Sequence, residues 1–530
     1  MKKIDRKILN NIILKNRNLG HVPAYVKKFI SVNENLWKED TNKCHVGSVI
    51  VEGLTGEMPT HLVRIGISSV AIRDAVGLNP VIVLKARNCK LERESFGSFG
   101  INRYEYLDEV KISIGGIIGI VVAMTHFYTR KNVGNLLELN YKGVNIGGLI
   151  YDDLIMSDEK RYTISELRKH DLKRVWDALL LVEKYRRIIK KNKAQAVLTA
   201  HNAYINYGTL GVAAIVEKKI GFTVWDLEAS YFKDPVELCF MERHNRDIRE
   251  IMASVDNEVL AKEGERYFKE RENPSGGALY DAKYAYKDKT IYTRQRLKNE
   301  FSHNDKKNAI IFMHVFSDSP HTSTMNVHKD YYDWFVDTLE QAKSIKTVNW
   351  YIKVHPSAFV YNEKIMLENY CRKDDGIYLL PDSFSTASVW DSCDAVITCQ
   401  GTIGIEAACR GIPTIASGRP FYDGFNIIYC ARSKDEYHEL LRKCAELKPM
   451  NPEIIKRALA VMGAHHRAVY YDGSILDEEV YEFGGYGKLR DYQKAFEKII
   501  SNIDGIGGRE IPLYRKVYEL TSKEYKGEGA

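Results

Sequence analysis

Residues 394–424 read DAVITCQGTIGIEAACRGIPTIASGRPFYDG, a sequence in which short apolar runs alternate with glycine-containing turns. Ala395–Cys399 is apolar and rich in β-branched residues, which predicts a buried strand. Thr402 stands where a helix N-cap is expected, and residues 403–409 can form that helix. Thr414–Ala416 predicts the next strand. The pattern therefore predicts a parallel β-α-β unit.

The turn between the first strand and the helix has the features of an anion site. First-turn N–H groups of a helix are unpaired, and the helix dipole favours negative charge there. Gly401 has no side chain, so a phosphate could approach the backbone. Glu406 follows Thr402 by one turn and could accept hydrogen bonds from ribose hydroxyls. An ordinary β-α-β turn would explain the same residues, and this alternative stays open.

Bulk properties describe a folded protein of several domains. At 530 residues, the chain is too long for one ordinary core, and two or three domains are expected. A net charge of +7 favours anionic partners such as nucleotides weakly and does not indicate a nucleic-acid-binding protein. The nine cysteines form no CxxC pair, which predicts neither a zinc site nor a disulfide framework. Reduced cysteines fit a cytoplasmic protein.

The sequence offers two segments for membrane contact. No signal peptide is expected, because the basic start MKKIDRKILNNIILKNRN has neither an apolar core nor a cleavage site. This start could lie at the inner surface of the cell membrane as an amphipathic helix, or be a solvated terminal helix. Residues 112–124 are the most apolar segment, but 13 residues are too few to span a bilayer.

Strand and helix patterns alternate in two blocks, which predicts parallel sheets covered by helices. We expect an α/β fold with two doubly wound domains. The first domain would cover residues 1–290, including a charged connecting region, and the second residues 291–480. A helical tail over residues 481–530 would then pack back on the first domain.

Polar residues follow four of the strands predicted in the second block. Because ligands of doubly wound domains bind at the carboxyl ends of strands, these residues are expected to converge. Lysine, imidazoles and hydroxyls suit a nucleotide carrying one or two phosphates, although polar loops after strands are also ordinary. The candidate donor-binding residues are His314, His321, Lys353, His355, Ser383, Ser385, Gly401, Thr402 and Glu406.

Three motifs of the second block carry a family resemblance over about residues 308–430. They are Lys353-x-His355-Pro356, the Asp394–Ala407 segment, and Gly411-x-Pro413 with Gly418-x-Pro420-Phe-Tyr422. Together they resemble bacterial capsule and surface-carbohydrate biosynthesis proteins, a group that includes Kdo transferases with the GT-B fold. The His-Pro pair also resembles that of bacterial sialyltransferases and teichoic-acid polymerases.

The resemblance implies a GT-B-like architecture, in which two Rossmann-like domains face a central cleft. It implies that Lys353 and His355 contact the donor phosphate. It also implies that Gly401, Thr402 and Glu406 hold phosphate and ribose.

Two segments of the first block resemble surface-carbohydrate transferases more loosely. His201-Asn-Ala-Tyr204-Ile-Asn-Tyr207-Gly208 is similar to a His-x-x-Tyr-x-x-Tyr-Gly motif, and residues 147–152 to a Gly-x-x-Ile-Tyr-Asp motif. Glycosyl transfer needs a base for the acceptor hydroxyl. Asp152 and His201 are therefore the catalytic candidates, and a structural role for each remains the alternative.

The resemblance implies a glycosyltransferase that uses a nucleotide-activated sugar, either a CMP-linked ulosonic acid or a UDP- or GDP-sugar. The acceptor would be a glycan or lipid-linked glycan of a capsule, a lipopolysaccharide or another surface polysaccharide. Neither a metal nor another cofactor is expected, because no Asp-x-Asp motif or metal-ligand spacing occurs. The alternatives are a CDP-polyol phosphotransferase of the teichoic-acid type and a non-catalytic protein that binds nucleotide sugars.

Overall fold

The computed structural model divides the chain into two compact units. Unit 1 comprises residues 1–159, 164–238 and 470–530, and unit 2 comprises residues 160–163 and 239–469. The structure describes residues 22–37, 47–54, 58–129, 132–157, 161–272, 285–286, 288–322, 325, 327–358, 363, 376–485 and 490–525. The basic N-terminal segment considered for membrane contact lies outside these described residues.

Unit 1 contains a six-stranded sheet and a small hairpin. The sheet order is β3-β2-β1-β6-β7-β8, and its neighbours are parallel except for the antiparallel pair β7–β8. The strands of unit 1 are β1 Gly47–Glu52, β2 Leu78–Leu84, β3 Tyr104–Tyr106, β4 Asn140–Tyr141, β5 Val144–Asn145, β6 Ala194–Thr199, β7 Ile220–Trp225 and β8 Glu228–Phe232. Strand order reverses between β1 and β6, which creates a crevice at their carboxyl ends.

Helices cover this sheet and bury apolar side chains in a core with β1, β2 and β6. The long helix over residues 169–191 shows the expected periodicity, with Val175, Leu179, Val182 and Ile188 all buried. The helices before residue 239 are α1 Ala24–Leu36, α2 Pro59–Val76, α3 Lys90–Gly97, α4 Ile114–Thr129, α5 Val133–Leu137, α6 Gly147–Ser157, α7 Lys169–Lys191 and α8 Tyr204–Val216.

Unit 2 contains a six-stranded sheet in which every neighbouring pair is parallel. Its order is β11-β10-β9-β12-β13-β14. The strands are short apolar runs, as expected for a sheet that is covered on both faces. They are β9 Lys307–Phe312, β10 Val348–Lys353, β11 Ile377–Leu379, β12 Ala395–Thr398, β13 Thr414–Ala416 and β14 Tyr429–Cys430. Strand order reverses between β9 and β12. Two doubly wound sheets confirm the predicted α/β fold class with two Rossmann-like domains.

The boundary between the units falls after Leu238, whereas the sequence pattern placed it after residue 290. The helices of unit 2 are α9 Phe240–Ser254, α10 Asn257–Glu272, α11 Arg294–Leu297, α12 Tyr331–Ser344, α13 Val389–Ser392, α14 Ile403–Cys409, α15 Lys434–Arg442 and α16 Pro452–Val469. Helices α9 and α10 bury Ile248 and Phe268 in one core with Phe421 and Val461. Their charged outer faces make the segment look like a connecting region in sequence, although it belongs to the core of unit 2.

The chain returns to unit 1 from residue 470, eleven residues before the predicted start of the tail. The Tyr471 N–H donates to the Leu227 carbonyl at 3.0 Å, and the Thr60 hydroxyl donates to the Gly484 carbonyl at 3.3 Å. The helices of this part are α17 Glu478–Gly484, α18 Tyr492–Ile503 and α19 Pro512–Glu524, and all three pack against α2.

Gly463→Ala should destabilise unit 2 by about 2 kcal/mol, because helices α10 and α16 touch through their backbones. A Cβ on Gly463 would lie 2.0 Å from the Leu260 carbonyl oxygen. Thermal melting of the full chain measures the effect. Gly115→Ala in α4 is the control, since a Cβ there meets nothing within 4 Å. Equal melting temperatures for both variants would contradict this packing.

Candidate functional site

The predicted donor site of unit 2 lies at the carboxyl ends of β9, β10 and β12. His314 follows β9, Lys353 ends β10, and the turn at residues 399–402 follows β12. These strands are neighbours in the sheet, and β9 and β12 flank the point at which strand order reverses. A Cβ on Gly401 would lie 3.6 Å from Cε1 of His314, so the structure brings the imidazole and the turn together.

His314 is held in one orientation and one tautomer. Its Nε2 accepts the Gln400 N–H at 3.3 Å and lies 3.2 Å from the Thr398 hydroxyl. Thr398 Oγ1 in turn accepts the Gly401 N–H at 3.1 Å, so its own proton can point to Nε2. This network assigns the ring proton to Nδ1. The ring also stacks on Tyr331, with centroids 4.3 Å apart and planes inclined by 13°.

The surroundings of His314 keep its imidazole neutral. Burial, followed by the charge of nearby His355, lowers the pKa of His314 from an ordinary 6.5 to about 3. The side chain remains partly exposed. At neutral pH, His314 therefore offers one N–H donor, at Nδ1, and no positive charge.

His355 has the opposite tautomer. Its Nδ1 accepts the Ser357 N–H at 3.1 Å, so a neutral ring carries its proton on Nε2. Its carbonyl accepts the Ala358 N–H at 3.0 Å, which closes the turn after Pro356. Both imidazoles can thus act as hydrogen-bond donors at this edge of the sheet.

Lys353 is a largely buried cation at the same edge, with 6% of its surface exposed. Its Nζ lies 5.6 Å from the ring centre of Phe384, and its carbonyl accepts the Met313 N–H at 3.0 Å. Sequence reasoning missed Phe384, although it lies between the two serines that were named from the same loop. An aromatic residue in an otherwise polar loop was the available signal.

The two serines have separate positions in that loop. Ser385 is buried, and its hydroxyl accepts the Ala387 N–H at 3.3 Å, which caps a short 3₁₀ turn over Thr386–Ser388. Ser383 is exposed, and its carbonyl accepts the Thr290 N–H at 2.6 Å. The Ser385 hydroxyl therefore organises the loop, whereas the Ser383 hydroxyl faces solvent.

The turn after β12 differs from the expected helix cap. Thr402 already has helical angles, φ −55° and ψ −27°, and its side chain makes no cap hydrogen bond. The Gly404 N–H donates to the Gly401 carbonyl, and the Glu406 N–H donates to that of Thr402. Within the described part of this turn, only the N–H groups of Thr402 and Ile403 lack an acceptor. Local 3₁₀ pairing therefore leaves a smaller anion-binding surface than the sequence predicted.

Glu406 is engaged in a buried ion pair, which does not match the predicted contact with ribose. Its Oε1 accepts from Arg271 Nε at 2.8 Å, and its Oε2 accepts the Tyr286 hydroxyl at 2.7 Å. Only 3% of its surface is exposed. Helical spacing correctly placed Glu406 on the same face as Thr402. It could not reveal the hydrogen-bond partners of Glu406, because they lie more than 100 residues earlier in the chain.

His321 is tied to its own loop. Its Nε2 lies 2.9 Å from the Lys329 carbonyl, which makes Nε2 the donor in that contact. The loop itself is anchored by Glu363, whose carboxylate accepts the N–H groups of Phe316 and Ser317 at 2.9 and 3.1 Å.

In unit 1, His201 lies at the carboxyl end of β6, where strand order reverses. Its Nδ1 accepts the Ala203 N–H at 3.0 Å, so the neutral ring carries its proton on Nε2. Burial, followed by the charge of Arg64, lowers the pKa of His201 to about 3. A ring that is already protonated at Nε2 and resists a second proton is a donor, so this geometry does not support the predicted role as a base.

Aromatic and cationic residues surround His201. The ring centre of Tyr207 is 4.2 Å from that of His201, and the ring of Trp225 is 4.5 Å away at an edge-on angle. Arg64 is buried and lies 5.6 Å from the Trp225 ring centre. Sequence reasoning missed Arg64 and Trp225, because one is inside helix α2 and the other ends β7.

Asp152 is fully buried in helix α6, so an acceptor hydroxyl could not reach it in this conformation. Its neighbour Asp153 accepts the Ile205 N–H at 3.3 Å and pairs with Arg174, which ties α6 to the first turn of α8. Gly208 packs closely there too, since a Cβ would lie 2.2 Å from Leu149. These contacts give the two first-domain motifs a structural role in holding the His201 loop.

His314→Gln should reduce the acid sensitivity of the protein. The pKa of His314 in the folded state is about 3 and its ordinary value is 6.5. A lowered pKa means that stability is present above pH 6.5 and is lost as the pH falls towards 3. Glutamine keeps an acceptor near Nε2 but does not titrate. Melting temperatures across this pH range should therefore decline less steeply for the variant.

Comparison with known proteins supports one family. Residues 228–447 match the model of a family described as capsule polysaccharide biosynthesis protein, which confirms the predicted resemblance. No curated protein matches the chain.

Solved structures with some similarity include two transferases and one epimerase. The β-Kdo 2,4-transferase KpsC of Thermosulfurimonas dismutans is 13% identical over 51% of this chain and 79% of that one, with a TM-score of 0.34. The β-Kdo 2,7-transferase KpsC of the same organism is 14% identical over 53% and 79%, with a TM-score of 0.32. UDP-GlcNAc 2-epimerase of Neisseria meningitidis is 10% identical over 79% and 97%, with a TM-score of 0.25. Similarity at this level identifies neither substrate nor reaction.

Proposed function

Because residues 228–447 match the model of the capsule polysaccharide biosynthesis family, we propose that the protein is a glycosyltransferase. It would move a sugar from a nucleotide-activated donor to a glycan acceptor in capsule synthesis. The observation that carries this proposal is the meeting of Lys353, two donor imidazoles and the Gly401 turn at the carboxyl ends of three adjacent strands.

These groups suit the phosphate of a nucleotide sugar. Lys353 supplies a positive charge in a largely buried setting, where it interacts strongly with an anion. His314 Nδ1–H and His355 Nε2–H are donors whose positions on the rings are set by the hydrogen bonds to the other ring nitrogens. Negative charge grows on the departing nucleotide during transfer, and fixed donors stabilise it. The donor half of the reaction therefore belongs to unit 2.

In unit 1 we propose that His201 positions the acceptor. Its Nε2–H is fixed by the Ala203 contact and can donate to a sugar hydroxyl. Tyr207 and Trp225 beside it offer ring surfaces that suit the apolar faces of a sugar. This role replaces general-base catalysis by His201 and needs no protonation of its ring.

The proposal also names the classes of donor and acceptor. The donor is a CMP-linked ulosonic acid or a UDP- or GDP-sugar, and the acceptor is a glycan or lipid-linked glycan. Action in lipopolysaccharide synthesis and a cytoplasmic location belong to the same proposal. Contact of the N-terminal segment with the inner membrane surface stays a prediction, because residues 1–21 lie outside the described part of the chain.

A nucleotide-sugar panel tests the proposal. The purified chain would first be melted with CMP, UDP, GDP, their sugars and CDP-glycerol. A nucleotide at about 100 times its dissociation constant adds about 2.7 kcal/mol of stability. Donors that bind would then be incubated with capsule oligosaccharide, and the products analysed by mass. Addition of a sugar supports the proposal. Transfer of glycerol phosphate from CDP-glycerol would show instead that the protein is a polyol phosphotransferase. Binding of a donor without any turnover would show that it is a non-catalytic protein.

A further inference from the structure

Helix α4 has an apolar face that the rest of the described chain does not cover. Ile114, Ile117, Ile118, Val121 and Val122 are exposed by 78, 47, 57, 46 and 62% of their surface. Their spacing of three and four residues places them on one side of the helix. The opposite side carries Ile120 and Phe127, which are buried in the core of unit 1. The helix is therefore anchored by one apolar face and presents a second one outward.

An outward apolar stripe of this length is unusual for a surface helix. The stripe runs from Ile114 to Val122 and is about 12 Å long at about 1.5 Å per residue. Exposed faces of soluble helices normally carry charged residues, and contiguous apolar patches mark sites of interaction. No helix among the described residues combines the length and the apolar character needed to cross a bilayer. The stripe therefore fits contact with a surface, with the helix lying flat.

The charges around α4 indicate what kind of surface this is. From Val110 to Leu137 the sequence contains no aspartate or glutamate. Lys111 precedes the helix, and Arg130 and Lys131 follow it, so both ends are basic. A second copy docked face to face would bring two such basic segments together, which is unfavourable. An anionic surface instead attracts both ends while it receives the apolar stripe.

We propose that α4 docks the protein on a bilayer that contains anionic phospholipid. The helix lies parallel to the surface, its five aliphatic side chains enter the boundary between headgroups and acyl chains, and the exposed Lys111 contacts phosphates. This site is independent of residues 1–21 and of the transfer reaction. It would hold the enzyme where a lipid-linked acceptor is found.

Vesicle binding tests the site without any sugar donor. The full chain would be centrifuged with vesicles of phosphatidylcholine alone and of equimolar phosphatidylcholine and phosphatidylglycerol. We expect binding to the mixed vesicles. The double variant Ile118→Gln/Val122→Gln should bind them at least about tenfold more weakly, because two partly exposed aliphatic side chains no longer transfer from water. Lys111→Gln should weaken binding to the mixed vesicles, because these contain anionic lipid. It should not change any binding to vesicles of phosphatidylcholine alone.

A matched substitution on another helix shows whether binding depends on α4 itself. Val259→Gln removes an aliphatic side chain, 44% exposed, from helix α10 of unit 2 and should leave binding unchanged. Circular dichroism and melting would verify that each variant is folded. Absence of binding by the wild type, or equal binding by the double variant, would overturn the proposal. A dimer that the double variant dissociates, without vesicle binding, would overturn it in favour of a second copy.

Discussion

Lys353→Met should weaken the binding of the nucleotide-sugar donor about 100-fold, because a charge-assisted hydrogen bond to phosphate contributes about 1.5–3 kcal/mol. Methionine is an unbranched apolar side chain only one atom shorter than lysine, so we expect a melting temperature close to that of the wild type. Isothermal titration with the best donor of the panel measures the affinity. The predicted phosphate site of unit 2 depends on this result.

Lys434→Met is the matched control for Lys353. Lys434 belongs to the same unit, its side chain is 48% exposed, and its ion pair with Asp333 is 3.7 Å long. Loss of this surface charge should change donor affinity by less than about twofold, since exposed charges are screened by solvent. Unchanged affinity in Lys353→Met, alongside an intact fold, would remove Lys353 from the site.

Glu406→Gln should lower the stability of unit 2 by about 3 kcal/mol, because it leaves the buried Arg271 guanidinium without its counter-charge. For a unit of this size, this corresponds to a fall in melting temperature of about 6–12 °C. Donor affinity measured well below the melting temperature should change little. Lower stability with unchanged donor affinity would show that the Glu406 carboxylate serves the ion pair. It would argue against the contact with ribose that the sequence predicted.

Glu439→Gln provides the comparison for Glu406. Glu439 of helix α15 pairs with Lys443 just after the helix, both side chains are 56% exposed, and such pairs contribute about 0.3–0.5 kcal/mol. Its melting temperature should stay within about 2 °C of the wild type. If Glu406→Gln melted like this control and lost donor affinity instead, the carboxylate would be a ligand of the donor.

Sequence periodicity alone predicted the elements that position the donor site. The strand at 395–398 and the helix at 403–409 both lie where residues 394–424 placed them. Parallel strands bring their carboxyl ends to one edge, so polar residues after successive strands could be expected to converge. His314 and the Gly401 turn do so, because this convergence follows from the order of elements along the chain.

Chain order did not reveal which atoms remain available at that edge. Nε2 of His314 is already hydrogen-bonded to Thr398 and Gln400. The carboxylate of Glu406 is already hydrogen-bonded to Arg271 and Tyr286. Asp152 proved to be fully buried. Each result depends on partners that are distant in sequence, and local patterns contain no information about them.

The sequence by itself determined the fold class and the edge of the sheet that carries the candidate donor residues, because both follow from local periodicity and motif spacing. It also carried the resemblance to capsule biosynthesis proteins, which residues 228–447 match. Only the tertiary structure decided the domain boundary at residue 238, the tautomers of three histidines and the outward apolar face of α4. These features depend on which surfaces pack together, and packing joins segments that lie far apart in the chain.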